Sequence, residues 1–111
     1  MDPRHHAGYL RLCEAVLTTP GDTAGALRTA IEARAASLSG RAPDADALDA
    51  PLGTYVDKVA QHAYRVVDED IEALKRAGHS ESAIYEITLA ASLGAAAARF
   101  ELATKALDHL E

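Results

Sequence analysis

The chain has 111 residues, 49 % of them apolar and 25 % charged, a balance that fits one globular domain able to build a core without disulfide or metal staples. Eleven basic residues against seventeen acidic ones leave a net charge of −6, and Lys75 with Arg76 is the longest basic run, which argues against nucleic acid as a partner. No apolar run reaches the roughly 18 residues of a membrane span. The N-terminus lacks the cationic start and long apolar core of a signal peptide, so cytoplasmic residence is the expectation. Cys13 is the single cysteine, which excludes an internal disulfide and a CxxC pair.

Twenty-five alanines, one Phe and no Trp favour helix over strand, because Ala has the best helix propensity and lets backbones pack closely. Asp2 and Pro3 can start a first helix, with Leu10, Cys13, Val16 and Leu17 on one side, running to about Thr18. Pro20 and Gly21 mark a turn. Asp22 or Thr23 is placed to cap a second helix whose apolar face is Leu27, Ile31, Ala35 and Leu38, with Gly40 at its end. Residues 41–51, RAPDADALDAP, show no sustained period and form the one clear loop.

A third helix follows Pro51, with Leu52, Tyr55, Val56, Val59, Ala63 and Val66 or Val67 on one side. Asp68 is the expected cap of a fourth, whose stripe is Ile71, Leu74 and Ala77. Gly78 is placed for a left-handed C-terminal cap, and Ser80 then starts a fifth helix. That helix predicts a run from Glu81 to about His109, roughly 43 Å at about 1.5 Å per residue. A compact domain of this length is only about 34 Å across, so the helix either breaks near Gly94 or projects.

Two apolar stripes lie on it. One is Ile84, Ile87, Ala91, Gly94 and Ala98. The other is Leu89, Leu93, Ala96, Phe100, Ala103, Leu107 and Leu110, which is more apolar face than one small domain needs. Gly94 and Ala98 lie one turn apart and would admit another helix, so a homo-oligomer through the C-terminal helix is the expected assembly. The fold class is all-α, a bundle of about five helices in a single domain over residues 1–111.

The stretch from Tyr55 to Phe100, with VVDEDIEALKRAGHSESAIYEI followed by TLAASLGAAAARF, resembles the C-terminal part of the carboxymuconolactone decarboxylase-like superfamily, which includes alkylhydroperoxidase D-like proteins. Leu27 to Gly40 resembles an earlier core helix of that family more weakly. The resemblance implies an all-helical, alkylhydroperoxidase D-like fold that assembles as trimers, hexamers or similar rings. Redox members carry C-x-x-C-x-x-x-H on a helix with a carboxylate upstream, because one thiol attacks the peroxide and the other resolves the sulfenic acid. This chain has no such pair. One register sets Tyr55, Lys58 and His62 at the two Cys and the His, with Pro43 in place of the carboxylate. A second keeps the Gly78 corner aligned and loses the Cys-bearing helix into residues 41–51.

The remaining candidates for chemistry are His62 as a general base, Tyr55 beside it in sequence, and Glu86. A carboxylate among Ile84, Ile87 and Leu89 is expected to have a raised pKa, to pair with Arg99 or Lys58 at a helix contact, or simply to face water. His79 fits a helix C-terminus, and His5 and His6 with Cys13 match no zinc spacing. No metal or cofactor is implied, and nothing near Cys13 except Arg11 favours a thiolate. Two functions follow as expectations: a homo-oligomeric binding or assembly module without the peroxidatic cysteines, with room for a small-molecule ligand, or an acid–base enzyme, decarboxylase-like or isomerase-like, acting on a small organic acid through His62, Tyr55 or Glu86.

Overall fold

The computed structural model describes residues 2–42 and 45–110, so Pro43 lies outside them. It is all-helical: α1 spans Pro3–Thr18, α2 Gly25–Leu38, α3 Leu52–His62, α4 Asp68–Arg76 and α5 Glu81–Leu110. The core is made by α2, α3 and α5. Ile31 and Ala35 share one buried cluster with Tyr55, Val56, Ile84, Ile87 and Ala91, and α4 contributes Leu74 to it.

The helix ends follow local chemistry, with two departures from expectation. The Asp2 carboxylate accepts the Arg4 amide at 2.7 Å to start α1. At the corner before α5, Gly78 takes φ +101°, the left-handed cap that a Cβ disfavours, and Ser80 Oγ accepts the Ala83 amide at 3.0 Å. The third helix is shorter than expected. It stops at His62, a short 3-10 turn covers Ala63–Arg65, and Val66 and Val67 are extended. The cause lies in α4: the Asp70 carboxylate accepts the Val67 amide at 2.8 Å, which makes Val67 rather than Asp68 the cap residue and holds it out of helix. Val66 still packs partly against the core.

The second departure is at α2, which begins at Gly25 after Ala24 with no side-chain cap of its own. Asp22 and Thr23 are instead engaged by Glu86 of α5.

α5 is one unbroken helix of 30 residues. Gly94 does not break it but lets α2 approach: a Cβ there would stand 2.3 Å from the Glu32 carbonyl oxygen. The stripe of Ile84, Ile87, Ala91, Gly94 and Ala98 is therefore covered by the chain's own helices. The expected use of Gly94 and Ala98 as an intersubunit seam is corrected accordingly. The far end of α5 projects. The molecule measures 50 × 27 × 23 Å with a radius of gyration of 14.7 Å, against about 13 Å for a compact chain of this length.

Candidate functional site

Tyr55, His62 and Glu86 do not converge. Tyr55 is buried between α3 and α5, and its hydroxyl shares a 2.6 Å hydrogen bond with Thr88 Oγ1, which also donates to the Ile84 carbonyl. His62 is exposed at the end of α3 and stands edge-on to Tyr64, with the ring centroids 5.9 Å apart. Lys58, the neighbour of both in sequence, is paired with Asp70 at 2.9 Å. Each side chain has a separate local partner.

Glu86 corrects the sequence reading. Its carboxylate accepts the Asp22 amide at 2.8 Å, the Thr23 amide at 2.9 Å and the Thr23 hydroxyl. The Thr23 hydroxyl first, then the two amides, hold its carboxyl below the ordinary value of 4.5. A raised-pKa acid is excluded by this donor set, because each donor stabilises the charged form. Neither Arg99 nor Lys58 bonds it. Beside it, Arg28 is almost fully buried and its guanidinium donates to the carbonyls of Val16, at 2.6 Å, and Thr19. A cation there satisfies the open C-terminal carbonyls of α1. Together Glu86 and Arg28 tie the α1–α2 connection to α5.

A second polar knot was not visible in the sequence. Arg41, just after α2, donates through Nε and Nη2 to the Glu101 carboxylate at 3.0 and 2.8 Å, and through Nη1 to Glu32. The Tyr9 hydroxyl donates at 2.6 Å to Glu101 Oε2, the oxygen that Arg41 Nη2 also holds. Arg41 after α2 thus joins Glu32 of α2 to Glu101 of α5, and Glu101 in turn joins Tyr9 of α1. The Arg41 fork first, and then Tyr9, keep the Glu101 carboxyl below its ordinary range, while burial and the bond to Glu101 push Tyr9 up. The signal available in the sequence was only an Arg beside a Gly and a Glu on an apolar helix, 60 residues apart.

The Tyr9 ring also packs on Phe100, with centroids 4.9 Å apart. Beside that contact α1 and the end of α5 enclose an open groove of about 680 Å³, with Arg4, His5 and Gly8 on one side and Phe100, Thr104 and Leu107 on the other. Phe100 and Leu107 of its lining belong to the outer stripe of α5, which is largely exposed. Phe100 is 41 % exposed, Leu107 63 % and Leu110 84 %, while Leu10 and Leu12 are exposed on α1. Among the described residues no group of three His, Cys, Asp or Glu side chains is placed to hold a metal, and no helix is long and apolar enough to cross a membrane. Cys13 is half-buried on α1.

In comparisons with known proteins, no family model, curated protein or solved structure matches the chain.

Proposed function

We propose that the protein is a homo-oligomeric binding or assembly module, a carboxymuconolactone decarboxylase-like scaffold without the peroxidatic cysteine pair. The observation that carries the assembly reading is surface. The chain exposes 6857 Å², whereas a compact monomer of 11.7 kDa exposes about 5,900 Å² by the usual size scaling. The excess is about 1,000 Å², and a standard interface covers about 800 Å² on each partner. The exposed leucines and Phe100 of the C-terminal half of α5 place apolar atoms in that excess, where burial against another subunit is favourable. The family part of the reading rests on the sequence from Tyr55 to Phe100, supported by the Gly78 corner and the all-helical architecture.

The chemistry available in one subunit favours a module over an acid–base enzyme. Glu86 is saturated by three donors, Tyr55 is committed to Thr88, and His62 faces outward. Sedimentation equilibrium of the whole chain from about 1 to about 100 micromolar, a range that brackets ordinary subunit affinities, tests the assembly. A mass of two or more chains is expected, and a strict monomer across that range sinks the reading.

A further inference from the structure

The outer stripe of α5 is spaced four, three, four, three, four and three through Leu89, Leu93, Ala96, Phe100, Ala103, Leu107 and Leu110. This is a heptad seam, with Leu93, Phe100 and Leu107 at a positions and Leu89, Ala96, Ala103 and Leu110 at d positions. A seam of that period is complementary to another helix rather than to a flat surface. The chain's own helices leave it open: Ala96 and Ala103 are exposed together with Phe100, Leu107 and Leu110, and Leu93 is only half-buried. Tyr9 lies against one flank of Phe100 and does not cover it.

The sizes along the seam choose the partner. In an antiparallel pair an a position lies across from a d position. With the two-fold axis between residues 101 and 102, Leu93 meets Leu110 of the second copy, Ala96 meets Leu107, and Phe100 meets Ala103. The two inner layers then set a large side chain against an alanine, which fills space evenly. A parallel pair would stack Phe100 on Phe100 and leave Ala96 on Ala96 and Ala103 on Ala103 as gaps. The positions flanking the seam from Ala90 to Ala106 are Ala90, Ser92, Ala97, Arg99, Thr104 and Ala106, so a single charge borders it. Across the axis Arg99 lies near Ala106, where nothing repels a copy. The exposed excess of about 1,000 Å² matches one such face.

From these observations, and resting on the assembly reading above, we infer that the occupant of the seam and of the groove beside it is α5 of a second copy of this chain, packed antiparallel about a two-fold axis near Glu101 and Leu102. The paired helices close the open side of Phe100 on each copy, and the end of each α5 lies along Leu93 and Ala96 of the other.

Cysteine cross-linking of the whole chain in a Cys13→Ser background tests the register. Ala96→Cys and Leu107→Cys placed in the same chain are expected to give a covalent dimer on mild oxidation. Within one helix the two sites are about 16 Å apart, beyond the roughly 7 Å reach of a disulfide, so the bond must join two copies. Leu107→Cys alone is expected to stay uncross-linked. A dimer from Leu107→Cys alone would show a parallel pair and overturn the proposal. An oligomeric mass in which neither variant cross-links would overturn this seam while leaving the assembly reading intact. A monomeric mass in the uncross-linked Cys13→Ser protein would remove both.

Discussion

The two halves of α5 share one unbroken helix and do opposite things. From Ala83 to Ala98 nine positions are buried, and the helix is so close to α2 that Gly94 touches the Glu32 backbone. From Arg99 onward most side chains are exposed, and the contacts that hold this half to the rest include Tyr9 on Phe100 and Glu101 and the Arg41 fork on Glu101. Alanine thins from seven of the sixteen residues over 83–98 to two of the twelve over 99–110, while leucine is present in both halves. What separates them is whether another helix of the chain is near enough to cover them, and α2 ends at Leu38, short of the distal half. Small side chains in the first half therefore mean close packing, whereas in the second they line an uncovered seam.

This contrast can be broken by substitution, and the largest effect is expected at Gly94. Gly94→Ala puts a methyl group against the Glu32 carbonyl and should cost about 2 to 3 kcal/mol of unfolding free energy, overpacking outweighing about 1 kcal/mol of gained helix propensity. Ala106→Leu in the distal half should stay within about 0.5 kcal/mol for the isolated subunit. Urea titrations of both would compare them directly, and equal losses would mean that the halves do not differ.

Arg41→Ala is next. It leaves Glu32, nearly buried, without its guanidinium partner, and should cost about 2 kcal/mol, less than for a fully buried pair because Arg41 and Glu101 are partly solvated. Amide exchange should show the loss concentrated in α1 and the distal part of α5. Uniform loosening of the core helices would contradict the view that the knot serves the distal half.

Tyr55→Phe removes one partly buried hydrogen bond from the proximal half, for about 1 kcal/mol. The smallest effect is the pH response of the distal half. Glu101 has a lower pKa folded than unfolded, so its contribution is complete above the ordinary carboxylate value of 4.5 and is lost as pH falls through the folded value. Thermal melts of Glu101→Gln against the parent chain, taken from about pH 6 down to about pH 3 so as to span the carboxylate range, should therefore converge towards the acid end. A gap that widens on acidification would reverse the sign of the argument. His62→Ala, by contrast, should leave stability unchanged within about 0.5 kcal/mol.

Much of the architecture was legible because it is local. The Gly78 corner, the Ser80 cap, the run of α1 and the stripe of α2 each follow from residues within a few positions of one another. The start of α2 is hidden from the sequence because Thr23 looks like a cap, while its amide and hydroxyl are taken by Glu86, 63 residues later. The end of α3 is hidden likewise, because Val66 and Val67 continue the apolar period while the Asp70 carboxylate holds the Val67 amide. The Arg41 knot joins four segments of the chain and leaves no periodic trace. At Tyr55, His62 and Glu86 residue type alone suggests chemistry, and type does not reveal which partners a side chain already has.

The approach of Gly94 to Glu32 also bears on how the molecule forms. The two positions are far apart in the chain, and α3 and α4 lie between them. Each helix can begin to form on its own within microseconds, but the inner face of α5 has no cover until the ends of that long segment meet. Loop closure, rather than helix growth, is then the expected barrier, and a pro-helical substitution on the exposed face of α4 should leave the refolding rate almost unchanged.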